Sequence, residues 1–166
     1  MIGSGGAGKS TVSRRLGEIL GIEVAHLDAL YWKPGWVETP KPEWQRTVED
    51  LVRRDSWIID GNYSGTLDIR LAACDAVIFL DVPRLVCLWR VLKRRAQYRG
   101  GGRPDMARGC DERLDLEFLK FLRWIWDYPS RSRPKVLELL RENPPGKSIF
   151  RLRTRADIES FLRNVG

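Results

Sequence analysis

The residues most clearly arranged for chemistry form a glycine-rich run near the amino terminus. This run, Gly3 to Ser10 followed by Thr11, matches the phosphate-binding pattern G-x-x-x-x-G-K-[ST]. Glycines let successive backbone N–H groups turn around an anion, in conformations that a β-carbon would forbid. Lys9 supplies a positive charge for terminal phosphates, and the Ser10 hydroxyl can ligate Mg²⁺. The predicted nucleotide-phosphate site comprises Gly3, Ser4, Gly5, Gly6, Ala7, Gly8, Lys9, Ser10 and Thr11.

A helical pattern follows this run and supports the same interpretation. Val12, Leu16, Ile19 and Leu20 share one helical face, and Gly21 lies where a helix-terminating glycine is expected. The unpaired N–H groups and the positive dipole end of this helix point toward the same phosphates. The helix therefore disfavours the alternative of an ordinary glycine turn.

The elements that must position this loop alternate between short apolar segments and amphipathic segments. Strands are predicted at residues 1–2, 22–27, 57–60, 75–81 and 148–152, with helices between them, and residues 29–42 are predicted to form a loop. Such alternation predicts a parallel sheet with helices on both faces. We expect residues 1–166 to form a single domain.

Composition narrows the class of protein. The chain has 166 residues, of which 43% are hydrophobic, and no apolar run approaches the length that spans a membrane. The cysteines at 74, 87 and 110 are far apart, which is typical of reduced thiols rather than of a zinc site. Since no leader sequence precedes the loop, we expect a cytoplasmic protein, either a monomer or a homodimer, with no membrane partner.

Aspartates end three of the predicted strands, and ligands bind at the carboxyl ends of such strands. Asp81 follows V-I-F-L, which is the pattern of the Mg²⁺-binding acid in P-loop enzymes; the alternative is a helix cap before Pro83. Asp28 is predicted to accept a proton from a substrate hydroxyl or to bind the ion, and Asp60 to face the acceptor. Capping remains an alternative for both residues. His26, the single histidine, is expected to be structural.

A basic helix is predicted over residues 84–99. Residues 84–113 hold nine basic and three acidic side chains, within a net charge of +7 for the chain. Arginines at i, i+4 repel one another unless phosphates lie between them; the alternative is a solvated basic face. We expect an arginine lid near residues 94–112, hinged at the triglycine 100–102. The predicted phosphate-contacting residues are Arg90, Arg94, Arg95, Arg99 and Arg103, with Arg94 and Arg95 in catalytic roles and Arg131 and Arg133 as a second clamp.

Two further features bear on the ligand. The aromatic stretch Tyr31–Trp36 is suited either to stacking a base or to covering the edge of the sheet. The chain has no N-K-x-D motif, and Val82 follows Asp81 in place of a water-activating glutamate. These absences disfavour GTPases and mechanical ATPases and leave phosphoryl transfer to a small molecule.

Five stretches together resemble the adenylate kinase-like P-loop proteins called DNA topology modulation proteins. They are residues 2–11, H-L-D-A-L-Y-W-K-P-G-W at 26–36, W-I-I-D-G-N-Y-S at 57–64, F-L-D-V-P-R at 79–84 and R-P-D-M at 103–106. The resemblance implies a five-stranded parallel sheet in the order 2-3-1-4-5, ATP with Mg²⁺, and a mobile lid. Adenylate kinases have D-G-F-P-R where this chain has D-G-N-Y, which disfavours AMP as the acceptor.

The sequence leaves two functions open. The first is a kinase that transfers the ATP γ-phosphate to a nucleotide or another small metabolite. The second is an ATP-regulated DNA-binding factor, for which the positive charge would be the nucleic-acid footprint. No helix-turn-helix or RNA-binding signature is present, so nucleic acid is expected only as a secondary partner.

Overall fold

The fold is an α/β arrangement built on short parallel strands. A computed structural model describes residues 1–97, 116–142 and 146–166. The strands are β1 (Ile2–Gly3), β2 (Val24–His26), β3 (Trp32–Lys33), β4 (Val37–Glu38), β5 (Ile58–Asp60), β6 (Ala76–Leu80) and β7 (Ser148–Leu152). The helices are α1 (Lys9–Leu20), α2 (Leu27–Tyr31), α3 (Lys41–Val52), α4 (Leu67–Ala73), α5 (Arg84–Gln97), α6 (Leu116–Arg131), α7 (Arg133–Arg141) and α8 (Arg155–Val165).

The predicted five-stranded sheet is not present as one continuous sheet in the described residues. Parallel pairing gives a three-stranded sheet, β1-β6-β7, and a separate pair, β2-β5. The order 2-3-1-4-5 numbers the five predicted strands along the chain, which correspond to β1, β2, β5, β6 and β7. The neighbours observed within each group agree with that order, but the junction between β5 and β1 is only partly formed. Met1 makes two backbone hydrogen bonds there: its nitrogen donates to Ile59 O at 2.5 Å, and Gly61 N donates to Met1 O at 3.2 Å. The expectation of a parallel sheet is confirmed, and that of a single five-stranded one is not.

Strand β6 shows how helices cover both faces of the larger sheet. Ile78 and Leu80 pack into one buried cluster, which contains residues of α1, α5, α6 and α8. Val77 and Phe79 point to the opposite face, where residues of α4, α6 and α7 cover them. Successive side chains of a strand alternate between faces, so an apolar run of this length requires a layer on each side. The expectation of helices on both faces is therefore confirmed.

Residues 29–42 are more ordered than the predicted loop. They contain the end of α2 and the β3-β4 hairpin, in which Trp32 pairs with Glu38 and Lys33 with Val37. The turn uses Gly35 and Trp36, both at positive φ. The hairpin was missed because two-residue strands are too short to show an alternating pattern.

Two helices present different faces from those predicted. In α5 the fully buried residues are Cys87 and Val91, whereas Leu85, Trp89 and Leu92 are 66%, 60% and 51% exposed. The apolar spacing of residues 84–99 predicts an inward face made of Leu85, Leu88, Trp89, Leu92 and Ala96. Leu88 does pack against the core, but the other four positions are exposed, so the predicted face is wrong. Helix α5 is apolar on more than one face, so periodicity alone did not select the face that packs. In α1, likewise, Ile19 and Leu20 are exposed, although Val12 and Leu16 are buried as predicted.

No helix in the described part of the chain combines the length and the apolar character needed to cross a membrane.

Candidate functional site

The glycine-rich loop joins β1 to α1 and closes around its own lysine. Gly6 and Gly8 have φ values of 76° and 98°, which other residues rarely adopt. The Lys9 Nζ donates to the carbonyl oxygens of Gly3 and Ser4, both at 3.1 Å. The N-cap of α1 is Gly8, which has no side chain to satisfy the first N–H groups of the helix. The lysine ammonium and these amides together form a positive site suited to phosphate oxygens.

Helices α5 and α6 pack directly against this loop, which explains the need for glycine. A Cβ on Gly6 would lie 2.3 Å from the carbonyl oxygen of Cys87 in α5. A Cβ on Gly5 would lie 2.6 Å from the ring of Phe121 in α6. Arg90 also reaches the loop from α5, because its Nη1 donates to the Ala7 carbonyl at 3.0 Å. Arg90 thus lies beside the phosphate loop, and its contact with phosphate stays a prediction.

Asn62 is hydrogen-bonded to the start of the phosphate loop, and the sequence analysis did not assign it a role. Its Nδ2 donates to Gly3 O at 2.7 Å, and its Oδ1 accepts from Gly3 N at 3.0 Å. These two bonds tie the segment after β5 to the end of β1. The D-G-N-Y stretch marks Asn62 as part of a sequence motif, but nothing in the motif indicates that its partner is Gly3, 59 residues away.

A buried arginine holds the segment that carries Asn62. Arg70 of α4 is 4% exposed, and its guanidinium donates to the carbonyl oxygens of Gly61 at 2.9 Å, Asn62 at 2.5 Å and Tyr63 at 3.0 Å. Burial lowers the pKa of Arg70 to about 10, so it remains a cation at neutral pH. Tyr63 has a φ of 27°, an unusual value for a non-glycine residue. The three bonds from Arg70 stabilise this irregular backbone.

Asp60 lies at the phosphate loop and pairs with His26. The two residues face each other across the β2-β5 pair, with His26 Nδ1 3.0 Å from Asp60 Oδ2. Burial alone raises the pKa of Asp60, but the His26 hydrogen bond, the Lys9 charge and the Ser10 hydroxyl outweigh it, so the pKa lies below its usual value. His26 is therefore a partnered structural residue, as expected.

The second carboxylate oxygen of Asp60 has unused bonding capacity. Oδ1 is buried, and no hydrogen-bond partner for it is found among the described residues. A buried oxygen of this kind is costly unless something else binds it. An ionised carboxylate close to the Ser10 hydroxyl has the ligand chemistry that Mg²⁺ prefers.

Asp28 lies in the first turn of α2 rather than at the end of β2, because that strand stops at His26 and α2 begins at Leu27. Tyr63 Oη donates to Asp28 Oδ1 at 2.8 Å. Burial and the negative charge of Asp28 raise the pKa of Tyr63 far above its usual value, so the phenol stays protonated. Ring contacts of 4.7–5.4 Å connect an aromatic cluster of Tyr31, Trp32, Trp36, Trp44 and Tyr63.

Asp81 has different neighbours from those its predicted role would require. Arg133 binds both of its oxygens, at 2.8 and 3.1 Å, and Arg151 binds Oδ2 at 2.8 and 2.5 Å. Burial opposes ionisation, but these two arginines hold the pKa of Asp81 below its usual value. The assignment of Asp81 to Mg²⁺ stays a prediction, and in this structure its carboxylate is occupied by arginines.

The remaining predicted phosphate contacts are described only in part. Arg94 and Arg95 lie half-buried near the end of α5, and the guanidinium of Arg95 is 5.7 Å from the ring of Phe118. Arg131 pairs with Asp127 at 3.6 Å, whereas Arg133 binds Asp81, as described above. Arg99, Arg103 and the triglycine lie outside the described residues, as does most of the lid predicted near residues 94–112, so these stay predictions.

Comparisons with known proteins add limited information to this geometry. No family model matches the chain. It is 29% identical over 123 residues to "Uncharacterized protein YqaC" of Bacillus subtilis strain 168, a match that covers 73% of this chain and 68% of that protein. Among solved structures it is similar to the deoxyadenosine kinase from M. mycoides with bound dCTP, at 16% identity, with 99% and 96% of the two chains covered and a TM-score of 0.47. A TM-score below 0.5 does not establish a shared fold.

Proposed function

We propose that this chain is an ATP-dependent phosphotransferase that moves the γ-phosphate of ATP to a hydroxyl group of a small acceptor. The observation that carries the proposal is the position of the Lys9 ammonium, which donates to two carbonyl oxygens of a glycine-rich loop. The N-cap of the following helix, Gly8, has no side chain to bond its first amides. Phosphate oxygens offer Lys9 stronger, charge-assisted bonds than these carbonyls do. We also propose that the five parallel strands have the order 2-3-1-4-5, in which Met1 lies at the junction of β5 and β1.

The chemistry assigned to this site is a single displacement at phosphorus. The acceptor oxygen bonds to the γ-phosphorus, the bond from that phosphorus to the β,γ-bridging oxygen breaks, and ADP leaves. The hydroxyl proton passes to Asp28, whose carboxylate is oriented by Tyr63. Arg90, Arg94 and Arg95 are assigned to the phosphates, because transfer depends mainly on positioning and on charge stabilisation.

A magnesium ion fits this proposal. Ser10 and Asp60 would hold it beside the loop, since Asp60 is ionised and its Oδ1 lacks a partner among the described residues. Asp81 is the alternative carboxylate. When bound, Mg²⁺ neutralises charge on the phosphates. Among the described residues no group of three or more His, Cys, Asp or Glu could hold a metal ion.

The test uses Lys9→Ala with Lys41→Ala as its matched control, because Lys41 is an exposed lysine on α3. We expect Lys9→Ala to lower ATP-dependent turnover by about 10²–10³-fold, the usual effect of removing one stabilising donor. The loss of two bonds to carbonyls should cost only about 1–2 kcal/mol of unfolding free energy. Turnover is measured as ADP release, and ATP binding by thermal shift.

Equal turnover in Lys9→Ala and the parent protein would refute the phosphate assignment. Binding of short DNA that ATP neither competes with nor alters would instead favour the DNA-binding alternative, in which a separate basic surface contacts the nucleic acid.

A further inference from the structure

The two sides of the phosphate loop differ in charge. On one side, α5, α7 and the end of β7 carry arginines, of which Arg90 touches the loop and Arg133, Arg151 and Arg153 surround Asp81. On the other side lie residues 22–66, all of them described, which hold eight acidic and five basic residues. We call these the arginine side and the aromatic side. Polyanions such as ATP favour the first.

Three of the five basic residues on the aromatic side are paired with acidic residues of the same side. Lys33 pairs with Glu43 at 3.1 Å, Arg53 with Asp50 at 3.1 Å, and Arg54 with Glu23 at 3.2 Å. The other two, Lys41 and Arg46, occupy exposed positions of α3, a helix that buries Trp44, Val48 and Leu51. Three of the five positive charges are thus balanced by acidic partners, and the other two lie on the exposed surface of α3.

Arg70, the buried cation next to this region, is already bound to backbone carbonyl oxygens. Arg70 directs its donors to the carbonyl oxygens of residues 61–63, and Nε donates to Thr66 O at 3.3 Å. A guanidinium has five N–H groups in a fixed fork, so these bonds leave little capacity for a ligand phosphate.

The groups that do face the aromatic side suit hydroxyls and rings. Asp28 is half-buried, and its carboxylate accepts a hydrogen bond from Tyr63, whereas Asp60 is assigned to the magnesium ion. The half-buried Tyr63 contacts Asp28, and the half-buried rings of Tyr31 and Trp32 are connected to it through ring contacts of 4.7 and 5.1 Å, whereas Trp36 is exposed on the hairpin. Carboxylates repel a phosphorylated ligand but accept hydrogen bonds from its uncharged counterpart, and exposed ring surface favours a flat apolar group.

We propose that the acceptor is an uncharged, ring-bearing hydroxyl compound, and that the aromatic side selects against its phosphorylated form. This inference rests on the proposed function and specifies its substrate class. The acceptor hydroxyl bonds to the γ-phosphorus, its proton passes to Asp28, and ADP is released. The product gains the negative charge that the site disfavours, so electrostatic repulsion favours its release.

The experiment compares matched pairs of probes that differ only in one phosphate. The common ribonucleosides and deoxyribonucleosides are tested against their 5′-monophosphates, with ADP release as the readout and ATP binding measured separately. We expect kcat/KM to favour the uncharged member by about tenfold or more, since unpaired like charges cost at least that much. Equal or higher kcat/KM for the monophosphates would overturn the inference.

Failure of the inference can be distinguished from failure of the proposed function. If ATP stabilises the protein through Lys9 but no uncharged probe accepts phosphate, the inference is wrong and the nucleotide site stands. If ATP does not bind, the proposed function itself fails. With ADP present, we expect the parent protein to bind each uncharged probe more tightly than its monophosphate. We expect Asp28→Asn to reduce this ratio of dissociation constants. Asp55→Asn, at an exposed acid, should leave that ratio unchanged.

Discussion

At the scale of single residues, the difference between two aspartates matters most. Asp60 and Asp81 both follow buried strand residues, and both have lowered pKa values. Asp60 owes this to His26 and to the phosphate loop, whereas Asp81 owes it to Arg133 and Arg151. A carboxylate already bound by two arginines is a poor ligand for a further cation. Asp60 is thus the better candidate for a role at the ion.

Asparagine substitutions separate the two roles. We expect Asp60→Asn to raise the Mg²⁺ concentration needed for half-maximal activity, because the amide lacks the negative charge that favours the ion. Asp81→Asn should mainly lower the free energy of unfolding, by about 1–2 kcal/mol, since its charge-assisted bonds weaken and the arginines are partly exposed. Magnesium titrations and urea unfolding of both variants measure these effects. A larger magnesium effect in Asp81→Asn would support the sequence-based assignment instead.

At the scale of elements, the packing of α5 against the phosphate loop sets the position of both. The buried residues Cys87 and Val91 are relatively small, so the helix backbone approaches Gly6 closely. Three larger residues of this helix, Leu85, Trp89 and Leu92, are exposed. Arg90 then bonds to the loop from the same helix.

Two glycine substitutions measure this close approach. Gly6→Ala meets both a positive φ and a carbonyl oxygen at 2.3 Å, whereas Gly35→Ala meets a similar φ of 81° with no atom within 4 Å. We expect Gly35→Ala to cost about 1–2 kcal/mol from backbone strain. Gly6→Ala should cost a further ~1–3 kcal/mol from the clash. Equal losses in urea unfolding would show that the loop and α5 separate easily.

The basic end of α5 is tested by its effect on turnover. An arginine that acts on the transition state can contribute on the order of 10³-fold in turnover, so we expect a strong loss in Arg94→Ala. ATP affinity should fall much less, because the phosphate loop provides most of the binding. Arg84→Ala is the control: this exposed residue contacts the Trp126 ring at 4.0 Å, at the other end of α5. Small and equal effects in single-turnover experiments would indicate a merely solvated basic face.

At the scale of the whole molecule, buried acids couple stability to pH. Asp60 and Asp81 have folded pKa values below the ordinary aspartate value of 3.8. The unfolded chain therefore binds these protons more readily, and stability is highest above that value and falls as the pH drops through the folded values. We expect a lower free energy of unfolding at pH 3 than at pH 7, and a smaller difference in Asp81→Asn. Urea titrations at both pH values measure this, and a stability that rises toward pH 3 would contradict it.

The sequence by itself determined the features that depend on neighbouring residues. The phosphate loop and its helix follow from glycines, a lysine and a serine at fixed spacing, and the structure forms both as predicted. Thr154 caps α8 through Asp157, again within one turn of chain. Strand β7 has its predicted ends for the same reason. Local spacing and backbone sterics are sufficient for features of this kind.

Tertiary structure decided which side chains meet at the site. Asn62 reaches Gly3 across 59 residues, and Asp81 reaches Arg151 across 70. Neither contact is encoded in local periodicity, because each depends on which strands become neighbours and on which helix face packs. The same holds for α5, which has apolar residues on several faces. Sequence periodicity does not distinguish these faces, whereas in the folded chain the phosphate loop packs against Cys87 and Val91. The partners of a side chain at a strand end come from distant segments, and only the folded chain brings those segments together.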